Sequence, residues 1–337
     1  MIIADGRHPA CQPTQRAPWL GAGHACAWTR KFLPDTTLSQ HLLRGGSLNA
    51  ENYPAVFRSA DEGANRNQRL YLWLIRIEYG LLFVAAVLST EFFAGATFYL
   101  IYACVFLATL IVLLSRALIK PEQDWYRCRA LAESVKTLTW RYMMGAQPFS
   151  ASMELTAARE KFRQHLERTF KENRSTAEKM ITEWSDADQI TAEMDRVRGL
   201  GLTDRKKIYA DDRVSEQRSW YSRKASANRK AGQWWVGAGI LAYCVAALLA
   251  LSRIEFPHWY LWPIQPVIVF ASSVIGWMHI KKFSELKAAY TVAAHEIGLI
   301  KPRLEDVNNE LEFSACVNDA ELAFSREHTM WIARQSN

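Results

Sequence analysis

The chain has 337 residues, half of them hydrophobic, and a formal net charge of +7. Its mean hydropathy of −0.13 averages long apolar segments with highly charged ones, which excludes a single uniform soluble domain. Residues 116–233 hold 24 Lys and Arg against 17 Asp and Glu, an excess equal to the charge of the whole chain. Because this block lies between apolar segments, we assign its charge to the cytoplasmic bias of Lys and Arg near membrane spans and expect no nucleic-acid partner.

The first 50 residues show little periodicity and contain several prolines and glycines. We interpret residues 1–50 as disordered, or as an over-extended start of the reading frame, and assign them no function.

Two pairs of apolar segments follow, each pair separated by a short gap: residues 71–88 with 92–114, and 234–252 with 259–280. Three of the four hold at least 19 residues without Asp, Glu, Lys or Arg. A bilayer core about 30 Å thick requires about 20 apolar residues in a helix. We therefore predict an all-α integral membrane protein that contacts the lipid bilayer through two transmembrane helical hairpins, four spans in all, with long cytoplasmic helices.

The orientation follows from the charges beside the spans. The tips, residues 89–91 and 253–258, carry little net charge, whereas the outer flanks are rich in Lys and Arg. We expect the tips outside the cytoplasm and both termini inside it. Arg76 and Glu78 interrupt the first span. Either their side chains snorkel to the nearby interface, or they make polar contacts within a helix bundle.

Each half repeats one plan: a basic lead-in, a hairpin and an amphipathic helix. Residues 51–145 form the first two-span unit, 146–202 a charged helical connector, and 203–334 the second two-span unit. Thr203 is predicted to cap the helix leading to span three, and Pro302 to break the helix after span four. Expected buried positions in the connector and the tail are Leu155, Ala158, Phe162, Leu166, Phe170, Val307, Leu311, Leu322 and Phe324.

Small residues recur in the second hairpin. Span three carries Ala238, Ala242, Ala246 and Ala250, and span four carries Ser272 and Gly276 at the same spacing. Such lines allow helix backbones to approach closely in lipid. They join either the two helices of one hairpin or neighbouring subunits of an oligomer. Near Pro263 and Pro266, Gln265 with Ser272 and Ser273 marks either a simple bend or the lining of a water path.

The densest cluster of polar and aromatic residues precedes span three: Tyr209, Arg213, Gln217, Trp220, Tyr221, Lys224 and Asn228. Their spacing places most of them on one helix face. This face either anchors the helix at the lipid headgroups or forms a polar seam between subunits that couples the cytoplasmic helices to the spans.

No arrangement typical of catalysis is present. The eight histidines form no ligand set, the six cysteines have no metal or redox spacing, and no phosphate-binding glycine loop occurs. We expect no enzyme activity, no catalytic residue, no cofactor and no metal.

The run from Tyr209 to Arg229, followed by a hairpin, resembles the SLATT family, which comprises two-transmembrane effector proteins of bacterial conflict systems. The tail residues Arg326, Glu327, His328 and Trp331 resemble that family's C-terminal helix. The first half resembles a second variety of the domain through Tyr53, Pro54, Phe57, Arg58, Ala60, Asp61, Trp125, Tyr126, Arg129, Ala132, Glu133, Ser134, Lys136 and Trp140. The resemblance covers about residues 51–334, as two copies in tandem.

This resemblance implies an effector that forms homo-oligomers and a pore, or disrupts the bacterial inner membrane, when triggered. The trigger would come from a separate sensor or nucleotide-signal protein, or triggering would be direct. A membrane-tethered scaffold, in which the helices of residues 115–233 recruit a soluble partner, is the alternative. A transporter with inverted repeats is weaker, because both hairpins insert in the same orientation.

Overall fold

The computed structural model describes residues 48–90, 95–177, 180 and 184–333, with side chains up to residue 325. All regular elements of this part are helical, and four helices are long and apolar enough to cross a membrane. The predicted all-α fold with two transmembrane hairpins is confirmed. The interpretation of residues 1–50 as disordered or over-extended falls outside the described residues except for residues 48–50, of which Ala50 begins a short 3-10 helix (Ala50–Asn52).

The first half consists of α1 (Ala55–Leu88), α2 (Ala96–Ile119) and α3 (Pro121–Met143). Helix α1 is continuous, so that the amphipathic lead-in and span one form one rod. The lead-in buries a stripe of small and apolar residues against α3, which folds back along it. Helix α2 buries almost none of its apolar surface, as expected of a helix whose solvent is lipid.

Lys120 forms the corner between α2 and α3. Its φ of 50° places it in the left-handed region, its N–H donates to the carbonyl of Arg116, and its own carbonyl accepts from Gln123. One residue therefore ends the span and begins the next helix, and Pro121 at the first helical position needs no N–H partner. This corner directs α3 back along α1.

Between the two halves lie α4 (Leu155–Glu172), α5 (Arg174–Ala177) and α6 (Ala192–Arg198). In α4, Ala158, Phe162 and Leu166 are buried as predicted. Leu155 and Phe170 are exposed, because the ends of α4 extend beyond the core on which its middle packs. Arg198 donates to the carbonyls of Tyr142, Phe149 and Ser150. Those bonds fix the loop after α3.

The second half begins with α7 (Leu202–Ile208), a π-helical segment (Tyr209–Ser215) and α8 (Glu216–Glu255), which follow one another without a break. The predicted N-cap at Thr203 is wrong, because Gly201 caps α7 and Thr203 lies within it. The rod carries the chain from the core to the end of span three.

The second half is completed by α9 (Ile264–Lys281), α10 (Phe283–Glu305) and α11 (Glu310–Ala333). Lys282 turns the chain between α9 and α10 with a φ of 46°, as Lys120 does in the first half. The predicted break at Pro302 is wrong: α10 continues to Glu305, because a proline so near the helix end removes only a terminal hydrogen bond.

The helices outside the spans share one hydrophobic core. It includes Tyr53 and Phe57 before and within α1, Trp140 of α3, and Phe313 and Phe324 of α11. In the tail, Val307 and Phe324 are buried as predicted, whereas Leu311 and Leu322 are exposed because they lie on the opposite face of their helix. A second cluster, nearer the spans, joins Tyr71, Leu72 and Ile75 of α1 to Trp277 and Phe283.

Candidate functional site

A buried ion pair lies where the two halves meet. Arg213, in the π segment, donates from Nε to Oε1 of Glu321 at 2.8 Å and from Nη2 to Oε2 at 2.6 Å. The hydroxyl of Tyr209 donates to the same carboxylate at 3.0 Å. Arg213 is 2% exposed and Glu321 is not exposed at all. The pair attaches the C-terminal helix to the rod that enters span three.

Rings from both halves surround this pair. The guanidinium carbon of Arg213 lies 4.7 Å from the ring centroid of Phe324 and 5.9 Å from that of Trp140. Burial alone would lower the pKa of Arg213, but the Glu321 carboxylate outweighs it and the pKa is raised. Burial, assisted by Glu321, raises the pKa of Tyr209. The arginine is therefore charged and the tyrosine protonated at any physiological pH.

A second polar cluster connects α1 with α3. Arg129 Nη1 lies 2.8 Å from Oδ1 of Asp61, and its Nη2 lies 2.6 Å from Oε1 of Glu133. Burial lowers the pKa of Arg129, but Glu133 and Asp61 outweigh it, so the pKa is raised. Nearby, Lys136 is buried and burial lowers its pKa. Tyr221 and Tyr290 of the second half also contribute to raising the pKa of Arg129.

Trp220 and Tyr221 are buried and pack against Tyr290 of α10, with ring centroids 5.6 and 5.7 Å apart. Their place within the protein differs from the lipid-interface position that their residue types favour. Lys224 covers the Trp220 ring at 5.9 Å, and Asn228 donates to the Lys224 carbonyl. With half-buried Gln217, this face forms a polar and aromatic seam between α8 and α10 within the second half.

The two hairpins contact each other at the ends of spans one and four. The Arg76 guanidinium lies 5.4 Å from the Trp277 ring centroid, and Glu78 pairs with Arg116 of α2 at 2.9 Å. Arg76 and Glu78 therefore make polar contacts with neighbouring helices, which is the second of the two alternatives given for them above. Tyr79 reaches Gly276 so closely that an added Cβ would overlap its hydroxyl.

The predicted small-residue line has an uneven environment. Ala242 is buried in the hairpin near Gly239, which approaches Val274 of α9. Ala238 and Ala246 are half-buried, and Ala250 is exposed. Ser272 is exposed, and Gly276 faces span one instead of span three. The structure thus brings Ala242 and Gly276 to helix contacts but does not unite the six positions on one interface.

The candidate pore-lining residues lie along α9. Gln265 and Ser272 are exposed, and Ser273 donates to the carbonyl of Val269 in its own helix. The tail residues Arg326, Glu327, His328 and Trp331 continue α11, but their side chains lie outside the described residues. Within the described ranges, no group of three His, Cys, Asp or Glu side chains is placed to hold a metal ion.

Glu321 is not among the site residues predicted from the sequence. A signal existed: Phe313, Val317, Ala320 and Phe324 form a buried stripe on α11, and an acid at position 321 falls on the same stripe. A carboxylate in an apolar stripe requires a buried partner. The spacing alone does not reveal that the partner is Arg213, 108 positions earlier in the chain.

Comparison with known families gives two matches along the chain. Residues 54–206 match "SMODS and SLOG-associating 2TM effector domain 3", and residues 209–331 match "SMODS and SLOG-associating 2TM effector domain 1". No curated protein and no solved structure matches the chain. The boundary between the matches falls where α7 passes into the π segment, and the first match includes residues 146–202.

Proposed function

The chain belongs to the SLATT family and carries two of its domains in tandem, and on this basis we propose that it is a membrane effector of a bacterial conflict system that oligomerises and opens a pore in the inner membrane. The observation that carries this proposal is the presence of two 2TM effector domains on a chain with four candidate spans. The trigger is a separate sensor or nucleotide-signal protein, and no catalysis is involved.

The arrangement of the spans supports oligomerisation. Helix α2 packs on α1, α1 on α9, and α9 on α8, whereas α2 makes little or no contact with α8. The four spans thus form an open row and not a closed bundle. Because an open row encloses no water path, several copies are needed to surround one.

The outward faces of the row are consistent with lipid or further copies as neighbours. Large apolar side chains, among them Leu100, Ile111, Leu241 and Leu248, are more than half exposed on α2 and α8. A soluble monomer rarely exposes continuous apolar surface of this kind. Both hairpin tips lie on the far side of the membrane from the termini in this proposal.

Release of a trapped dye from liposomes containing the purified chain, together with cross-linking in detergent, tests the proposal. We expect leakage and cross-linked species larger than a monomer when the natural trigger is present. Absence of leakage under that trigger would refute the pore.

Two variants separate the readings of the alanine line. Ala242→Leu overpacks the α8–α9 contact and should cost about 1–3 kcal/mol of stability. Ala250→Leu, on an exposed site of the same helix, should leave monomer stability unchanged and reduce cross-linking only if this end of the line joins subunits. If Ala242→Leu kept both wild-type leakage and wild-type stability, the line would have no packing role.

A groove favours a scaffold as second candidate, although it lies on the C-terminal helices and not on the helices of residues 115–233. It lies between α10 and α11, has a volume of about 650 Å³, and is lined in part by exposed Val292, Leu299 and Leu322. A partner helix fits such a surface. Replacing the spans by unrelated apolar helices distinguishes the candidates, since a scaffold retains its activity and a pore loses it.

A further inference from the structure

A basic cleft lies between the start of α8 and α10, outside both spans. Its volume is about 350 Å³, and its walls are Val214, Ser215, Arg218, Ser219, Ser222, Arg223 and Lys301. These walls contain three cationic side chains, three hydroxyls and no carboxylate. Val214 and Ser215 of the cleft belong to the π segment, as does Arg213. The Arg213 side chain, however, is buried in the core with Glu321 and does not line the cleft.

Contacts among neutral and basic groups hold the cations around one space. Lys301 Nζ lies 3.4 Å from Oγ of Ser215, and Arg223 donates to Oγ of Ser219. Arg218 crosses α10 at Gly298, where an added Cβ would stand 3.2 Å from its guanidinium carbon. The glycine therefore leaves room for the guanidinium to lie flat against α10.

Three cations and three hydroxyls present hydrogen-bond donors without an acidic acceptor in the same walls. Guanidinium, ammonium and hydroxyl groups together match the oxygens of phosphate. The walls hold no aromatic ring on which a base could stack. We propose that this cleft binds the diphosphate group of a small soluble molecule, with Arg218, Arg223 and Lys301 as its charge partners.

Distance from the membrane favours a soluble source over a lipid headgroup. Arg218 precedes Trp234, where span three begins, by 16 residues on unbroken α8. At 1.5 Å per residue this separation is about 24 Å. The headgroup layer extends only about 5–8 Å beyond the hydrocarbon core. A lipid phosphate therefore does not reach Arg218.

The cleft is also placed to act on the second hairpin. Helix α8 continues into span three, and α10 is joined to span four through Lys282. A ligand that draws Arg218 and Lys301 together tightens α8 against α10 near the π segment. This consequence rests on the proposed function, whereas binding itself does not.

Isothermal titration calorimetry of the full chain with inorganic pyrophosphate tests the site. The chain is held in nanodiscs of neutral phosphatidylcholine, so that no anionic lipid competes. We expect saturable binding that weakens at least about tenfold in a triple variant with Arg218→Gln, Arg223→Gln and Lys301→Gln, because each charge-assisted hydrogen bond contributes to affinity.

A charge-matched control removes three exposed basic residues outside the cleft: Arg66→Gln, Arg229→Gln and Lys287→Gln. It should bind as the wild type does, and thermal unfolding shows that both variants remain folded. Absence of pyrophosphate binding to the wild type at millimolar concentration would overturn the proposal, as would equal weakening in both variants.

A second experiment, with lipid vesicles, tests whether the phosphate belongs to a lipid headgroup instead of a soluble molecule. If the wild type bound no pyrophosphate, but the cleft variant associated less than the control with phosphatidylglycerol vesicles, the cleft would be a headgroup site and the soluble ligand would be wrong. Calorimetry does not depend on leakage, so failure here leaves the pore proposal intact, and failure of the pore leaves the binding result intact.

Discussion

At the scale of residues, the Arg213–Glu321 pair places two opposite charges inside the hydrophobic core. Both side chains are buried, and Tyr209 supplies a further hydrogen bond to the carboxylate. Such a pair adds little over apolar residues of the same size, but removing one partner leaves an uncompensated charge. Its main effect is therefore to specify how α11 docks on the π segment.

Glu321→Gln should lower the free energy of unfolding by about 3–5 kcal/mol, because Arg213 then lacks its counter-ion. The double variant Arg213→Met, Glu321→Leu should recover much of this loss. Thermal unfolding in detergent, followed by tryptophan fluorescence, measures both. The matched control is Arg303→Ala at the exposed Arg303–Asp319 pair, which should cost less than about 1 kcal/mol. Equal losses at the two pairs would contradict this account.

Lys136 gives a prediction about pH. Burial lowers its pKa below the ordinary value of 10.5, so unfolding takes up a proton between the folded and the unfolded pKa. Stability of the wild type consequently rises with pH across that window. Lys136→Met should be more stable than the wild type at pH 7, and its advantage should shrink towards pH 10.5. Unfolding midpoints of Lys136→Met and of the exposed control Lys171→Met, taken over this range, test it; an advantage that grows with pH would refute it.

At the scale of elements, the contact between spans one and four fixes the order of the helices in the row. Gly276 of α9 admits the Tyr79 ring of α1, since its nearest neighbours are atoms of that ring. Small residues at such crossings let helices approach in lipid. The two hairpins thus meet where the Tyr79 side chain of the first domain packs into the space left by Gly276 of the second.

Gly276→Ala should destabilise the chain in detergent, because the new Cβ overlaps the Tyr79 hydroxyl. Tyr79→Phe removes that oxygen and should restore part of the loss in the double variant, although the ring carbon Cζ remains 3.1 Å away. Gly237→Ala, where a Cβ meets nothing within 4 Å, is the control. Additive effects of the two substitutions, measured by unfolding midpoints, would show that the contact does not form.

At the scale of the whole molecule, the two domains do not have separate cores. Trp140 of the first family match (residues 54–206) packs against Tyr209 of the second (residues 209–331) with ring centroids 5.8 Å apart. Lys206, the last residue of the first match, donates to the carbonyls of Glu305 and Val307 in the second. Arg205 pairs with Glu310 across the same boundary. A substitution on one side of this boundary is therefore expected to alter the stability of the helices on the other side.

Trp140→Ala should cost about 3–5 kcal/mol and raise hydrogen exchange in α11 as much as in α3, although these helices belong to different domains. The shared core is the reason, since a cavity at Trp140 removes support from both. Leu155→Ala, at an exposed position of α4, is the control and should change neither helix. Faster exchange confined to α3 would show that the domains unfold independently.

The sequence by itself determined the helical class, the four spans and the tandem pairs of hairpins, because a bilayer imposes length and apolarity on each segment and these are read directly from residues such as those of 92–114 and 259–280. The motif before span three was also found from local spacing. Only the tertiary structure decided that Trp220 and Tyr221 are buried against Tyr290, that Glu321 is the partner of Arg213, and that Gly276 faces Tyr79. Helical periodicity defines a face of each helix, but which faces meet depends on contacts between residues far apart in the chain, such as Arg213 with Glu321 and Tyr79 with Gly276, and no local pattern encodes these.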